Sequence, residues 1–401
     1  MAIQRVRTGS YPAFLSYGFR PFFLLGALWG GMAVLAWVPM LSGAIGTRSL
    51  FAPVDWHAHD LLFGYVPAVV TGFLLTAIPN WTGRLPVQGL PLAGLALLWL
   101  AGRFAIWFSA DIGWLAAMLV DCAFLLAMAI AAGQEIVAGK NWRNLKVLAP
   151  VTVLFAANVL FHVEAQLHGV TDVSRRLGLA ATILLIMIIG GRIIPSFTRN
   201  WLVRENPGRL PVPFGRFDMM SIAASAISLG LWVFLPERPE TGILLVEAGL
   251  LNLARLSRWA GQRTLRDPLL LVLHVAYLFV PAGLIVSGIA ALSPATLPPV
   301  AGIHVFGVGA IGAMTLAVMA RATLGHTGRE LRAGPVTTLL FCAIVAAAPL
   351  RFAAALMPGQ VWLLHASATL WIAAFIGFAA CYAGPLTQPR VAPRKPGHAP
   401  A

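Results

Sequence analysis

Residues 269–292 read LLLVLHVAYLFVPAGLIVSGIAAL. The run carries no Asp, Glu, Lys or Arg. As a helix rising 1.5 Å per residue it is long enough to cross a hydrocarbon core of about 30 Å. Working outward, comparable runs recur at 20–41, 58–78, 90–109, 112–133, 147–167, 177–198, 219–236, 241–260, 299–324, 335–357 and 360–384. The breaks between them, such as PNWTGRLPVQG, KNWRNLK and SPATLPP, concentrate Pro, Gly and charge, the residues that end helices. The pattern predicts an all-α polytopic transmembrane bundle of about twelve helices. Residues 20–384 form its membrane domain, between a short N-terminal segment, 1–19, and a C-terminal tail, 385–401.

Composition agrees. Of 401 residues 59% are hydrophobic and 10% charged, and mean hydropathy is +0.82. Water could not cover that much apolar surface, so a soluble enzyme, a disordered chain and a nucleic-acid-binding module are excluded. The net charge of +14 fits basic loops facing an anionic leaflet better than nucleic acid. Outside the spans, 18 of the 28 Lys and Arg fall on one side. Only Arg48, Arg175, Arg176 and Arg238 fall on the other. The positive-inside bias puts both termini in the cytoplasm. The first span lacks an A-x-A cleavage site and is not read as a removable signal. Cys122, Cys342 and Cys381 form no CxxC pair and read as small buried hydrophobes.

This topology gives every histidine a depth. His57 and His59 lie at the outer end of the second span. His162, His304 and His365 lie roughly 7 Å below the outer ends of the fifth, tenth and twelfth. Five imidazoles from four helices thus share one layer. Histidine in hydrocarbon usually lines a bundle interior, and neutral imidazole is a common ligand of heme iron and copper. The competing reading is a polar network around a transport cavity. Within the HAH motif, His57 and His59 stand about 200° apart on a helix, so they cannot face one metal unless the segment unwinds. Asp60 shares the face of His57 and is a candidate to orient it.

Charges inside the spans complete the candidate set. Arg103 and Arg351, near the histidine layer, are candidates to clamp heme propionates, with snorkelling to headgroups as the alternative. Asp60, Asp121, Glu164 and Glu247 are intramembrane carboxylates. Of these Asp60, Asp121 and Glu164 are taken as candidate proton-relay groups, with a structural hydrogen bond as the alternative. Asn158, one turn before His162, is a candidate to tune it. His274 and His326 lie deeper, and their depths differ too much for a shared center.

The stretches GFRPFF (18–23), WHAHDLLFGY (56–65), GFLLTAIPNWTGR (72–84), GGRIIPSFTRNW (190–201), HVFGVGAIGAMTLAVMARATLGHTGR (304–329) and LHASATLWIAAFIGFAACY (364–382) resemble the NnrS family. That resemblance runs from the first span to the last. It implies a heme- and copper-containing protein of the bacterial inner membrane, linked to denitrification and nitrosative stress. The expected cofactors are heme b and copper, held by His57, His59, His162, His304 and His365, although His162 lies outside the matched stretches. The resemblance also implies Glu where Asp60 stands. The shorter side chain suits an orienting role better than direct metal ligation. The leading expectation is an oxidoreductase that reduces nitric oxide to N2O near the periplasmic face, with electrons from quinol or a periplasmic donor. The second is a non-catalytic protein that binds nitric oxide, heme or copper. A transporter would show an internal repeat, and none is apparent.

Overall fold

A helix in hydrocarbon satisfies its own backbone, and the chain uses little else. A computed structural model describes residues 11–391, and among them no strand occurs. The twelve long helices are α1 (Phe19–Leu41), α2 (Pro53–Thr82), α3 (Leu90–Trp107), α4 (Trp114–Ala138), α5 (Trp142–His168), α6 (Asp172–Glu205), α7 (Arg216–Phe234), α8 (Pro239–Ser257), α9 (Pro268–Leu292), α10 (Pro299–His326), α11 (Pro335–Leu356) and α12 (Val361–Thr387). Proline opens α2, α8, α9, α10 and α11, where its missing N–H costs nothing and its fixed φ starts the helix.

Eleven of the twelve are long and apolar enough to cross a membrane. The exception is α8, which carries Glu240, Glu247, Asn252 and Arg255. Its neighbours nevertheless force it across. Both the end of α7 and the end of α9 reach one cavity mouth, lined by Pro236, Glu237, Leu292 and Pro294. The start of α9 lies at the other face, where the preceding loop meets the start of α7: Val212 N–H donates to Arg258 O over 3.0 Å. The two helices therefore run the same way, and α8 must return between them.

Polar groups on the inner side of α8 make that crossing tolerable. The Arg255 side chain is fully buried. It donates to Asp218 Oδ1 at 2.9 Å and to the Tyr277 hydroxyl at 2.8 Å. Asn252 donates to Ser225 Oγ at 2.8 Å and accepts from Tyr277 at 3.0 Å. Hydrogen-bonded in this way, the network avoids the large cost of bare charge in hydrocarbon.

Both described ends of the chain meet on the face opposite the cavity mouth. Arg20, near the start of α1, donates to the carbonyls of Leu386 and Gln388 at 3.0 and 2.6 Å. Its guanidinium caps the end of α12. Trp56 is buried against Trp107. One expectation changes. Cys342 and Cys381 are exposed, and only Cys122 is buried. Tails 1–10 and 392–401, with Arg5, Arg7, Arg394, Lys395 and His398, lie outside the described residues.

Two helices depart from the α repeat. Asp60–Tyr65 in α2 and Val305–Gly312 in α10 are π turns, each beginning directly after a histidine. A π turn inserts one extra residue and rotates the helix beyond it relative to the helix before it, and such turns gather at functional sites.

The crossing of α8 is testable by labelling single cysteines in sealed vesicles. Glu237→Cys and Leu265→Cys should react with a membrane-impermeant maleimide from opposite sides, since both positions are exposed at opposite ends of α8. Labelling from one side would mean that α8 does not cross.

Candidate functional site

The HAH motif serves two places. Because His57 and His59 stand on opposite sides of α2, the structure turns one into a cavity and the other into a buried charge cluster.

The cavity measures about 950 Å³ and is walled by α1, α2, α6, α7, α9, α10, α11 and α12. Trp37, Leu62, Trp232, Ile311 and Trp371 give it apolar walls. His57, Tyr65, His304 and Arg351 supply polar groups. His57 stacks on Trp37 with ring centroids 4.0 Å apart, and its Nδ1 is buried with no partner. His304 Nδ1 lies 2.8 Å from Val300 O. A carbonyl only accepts, so Nδ1 carries the proton and Nε2 keeps its lone pair. Arg351 makes no hydrogen bond or ion pair with any described residue. Tyr65, which the sequence reading did not single out, bonds Thr315 Oγ1 at 2.5 Å. Thr315 donates in turn to Ile311 O at 2.6 Å. The two π-turned helices are thereby joined across the cavity wall.

The second place is a cluster among α2, α3, α4 and α5. Asp121 Oδ2 lies 3.2 Å from His59 Nε2 and 3.3 Å from His162 Nε2, and it accepts from Asn158 Nδ2 at 2.8 Å. Asn158 Oδ1 is 3.1 Å from His59 Nε2. Ligand atoms of His59, Asp121 and His162 all lie within 4.8 Å of one another. Arg103 forks between the carboxylates, reaching Asp60 Oδ1 at 2.8 Å with one nitrogen and Asp121 Oδ1 with the other. Trp29 Nε1 adds a bond to Asp60 at 3.2 Å. All six ionisable or amide side chains are nearly inaccessible to solvent. Glycines make room for the fork. A Cβ at Gly64 would overlap the Arg103 guanidinium, and one at Gly102 would stand 3.1 Å from Asp121 Oδ1.

Several sequence expectations are corrected by these contacts. The five outer histidines do not converge. His57 and His304 share the cavity, His59 and His162 share the cluster, and His365 is exposed on α12 in neither. Arg103 is not free to clamp a propionate, because two carboxylates already occupy its fork. Asp60 sits against His59, at 3.9 Å, and Arg103 rather than orienting His57. Asp121 is bound by Arg103 and Asn158 and is no solitary buried acid. Glu164 accepts from Ser174 N at 2.9 Å and Ser174 Oγ at 2.5 Å, which makes it a cap for the first turn of α6. His274 pairs with Thr198 at 2.9 Å, while His326 packs on Tyr17 and Phe19, so these two form no common center.

A family model described as NnrS protein matches residues 13–390. The chain belongs to the NnrS family. Its members are membrane proteins linked to nitric oxide and associated with metal and heme binding. No functionally curated protein matches the chain. The NnrS match spans all twelve helices and so both the cavity and the cluster. Where the resemblance implied Glu, Asp60 of this NnrS chain reaches Arg103 and Trp29.

Removing the fork should expose what it holds. Arg103→Met strands two buried carboxylates, which costs about 3–5 kcal/mol when a buried pair is broken. The thermal midpoint of the detergent-solubilised protein should fall sharply, and adding Asp60→Asn should recover part of it. An unchanged midpoint in the single variant would show that the fork is not structural.

Proposed function

We propose that this NnrS protein holds heme in the cavity between His57 and His304 and reduces nitric oxide to N2O there. The observation that carries the reading is one largely apolar cavity, with Asp172 and Glu237 also in its lining, that presents two imidazoles and Arg351, which forms no ion pair with any described residue.

The residues fit the group by their own chemistry. His304 has Nδ1 fixed by a carbonyl and Nε2 left as the ligand nitrogen, a common preparation of imidazole for metal. Ring stacking on Trp37 holds His57. The free guanidinium of Arg351 suits a propionate, and the volume lies within the range of ligand pockets, about 300–1,000 Å³. Heme, when bound, supplies an iron that coordinates nitric oxide and passes electrons. Trp37, Trp232, Ile311 and Trp371 exclude water, and an apolar diatomic reaches such walls through lipid. Each turnover joins two NO with two electrons and two protons into N2O and water. A quinol or a periplasmic carrier supplies the electrons. Thr315 Oγ1 accepts a hydrogen bond from the Tyr65 phenol, because its own hydroxyl donates to Ile311 O. The basic face opposite the cavity mouth is the cytoplasmic one, in the bacterial inner membrane.

Copper is assigned to His59, Asp121 and His162. Two imidazole nitrogens and a carboxylate oxygen suit that ion, and two carboxylates against one guanidinium leave a negative charge for a cation to balance.

One observation favours the second reading, binding without turnover. The two donor sets lie on opposite sides of α2, so nitric oxide in the cavity does not meet the cluster histidines.

Purified protein given reduced quinol under anaerobic nitric oxide decides between them. Wild type should consume nitric oxide and release N2O. His304→Ala should lose the heme Soret band and the activity together. Arg351→Ala should weaken heme retention about tenfold or more, the equivalent of one charge-assisted bond. Stable nitrosyl spectra with no N2O would leave the binding reading. A Soret band undiminished in both His57→Ala and His304→Ala would remove heme from the cavity.

A further inference from the structure

One intramembrane carboxylate remains unexplained. Asp60, Asp121 and Asp218 are buried against arginines, Glu135 pairs with Arg84, and Glu164 caps α6. Glu247 has no hydrogen bond or ion pair with any described residue, and it is exposed. It lies near the middle of α8, about 12 Å from the end at the cavity mouth. Since α8 crosses the bilayer, this carboxyl group points outward into hydrocarbon, where nothing in lipid can hydrogen-bond it.

The rest of that face has a regular spacing. Beyond its opening proline, the exposed positions of α8 are Glu240, Ile243, Glu247, Leu250, Ala254 and Ser257. The steps alternate between three and four residues, a heptad stripe with Glu240, Glu247 and Ala254 on one row and Ile243, Leu250 and Ser257 on the other. The opposite side of α8 is spoken for: Gly242, Leu245, Ala248, Gly249, Asn252 and Arg255 are buried in the bundle. Elsewhere the outward faces carry side chains such as Leu97, Phe104, Leu119 and Leu339, which lipid satisfies.

We propose that the outward stripe of α8 is the seam of a homodimer, packed against the same stripe of a second copy related by a two-fold axis along the membrane normal. Copies inserted in the same orientation place each residue at the depth of its counterpart, so rows meet their own kind. Ile243 and Leu250 pack on their equivalents, and Ala254 lets the helices approach. Glu247 meets Glu247, so that each carboxyl group faces a polar partner at its own depth, which lipid does not supply. A polar residue at a single seam position also fixes register, which apolar packing between membrane helices does not. This seam stands independently of the heme and copper reading.

Cysteine cross-linking in native membranes tests it, in full-length protein with Cys342 and Cys381 replaced by serine. On oxidation Ala254→Cys should give an adduct of twice the 42.7 kDa chain mass. Leu339→Cys, exposed on α11, should give none. Native nanodiscs should hold two chains per particle, and Ala254→Trp should reduce that to one with the thermal midpoint retained. One chain per wild-type disc would overturn the proposal. So would equal cross-linking at both positions, or an Ala254→Cys adduct of any other mass, which would mean that a different protein covers the stripe.

Discussion

Arg103, held between Asp60 and Asp121, is the interaction on which the arrangement of the site depends. In hydrocarbon a lone guanidinium or carboxylate is costly, and each of these three exists in its place because the others do. The fork ties α3 to α2 and α4, and Asn158 and His162 extend it to α5. It also fixes the rotation of α2 about its axis. With Asp60 turned toward Arg103, His59 must face the cluster and His57 must face the cavity. The aim of a cavity histidine is thus set by a charge contact on the far side of the same helix.

The second constraint is the pair of π turns. Asp60–Tyr65 and Val305–Gly312 each begin directly after a histidine, and the Tyr65–Thr315 bond joins their far ends. An α-helix of uniform pitch would leave His57 and Tyr65 about 80° apart, and the extra residue of the π turn brings that to about 20°. With one residue inserted, both line the same cavity. The helices of the cavity wall are therefore locked twice, by ions behind α2 and by hydroxyls across to α10.

Much of this was legible in the residues, and the remainder was hidden for identifiable reasons. Apolar runs of sufficient length located the spans, and Pro, Gly and charge located their ends. Even α8 was found, because its breaks are clear although its polar side chains lower its hydropathy. Depth along a helix comes from residue counting, so a histidine layer could be read. Direction around a helix does not, because it depends on which neighbours pack against each face, and so His365, outward on a regular α12, was grouped with residues it never meets. The two-sided character of His57 and His59 was readable, since 200° of separation is simple geometry. The partners of Arg103 were not, since they lie 43 and 18 residues away and depend on how three helices pack. Glu164 gave no hint that it caps a helix beginning eight residues later.

The π turns bear on how such a chain can vary. Elsewhere in a spanning helix, losing one residue turns every side chain upstream of the gap by a fixed angle against the bundle, and the helix must repack. Within 60–65 or 305–312 a deletion would instead restore ordinary pitch. The inner half of the helix would stay docked while the outer half swivelled, carrying an imidazole away from the cavity. Length changes in these two short windows are therefore able to alter which groups line the cavity while leaving the membrane architecture intact.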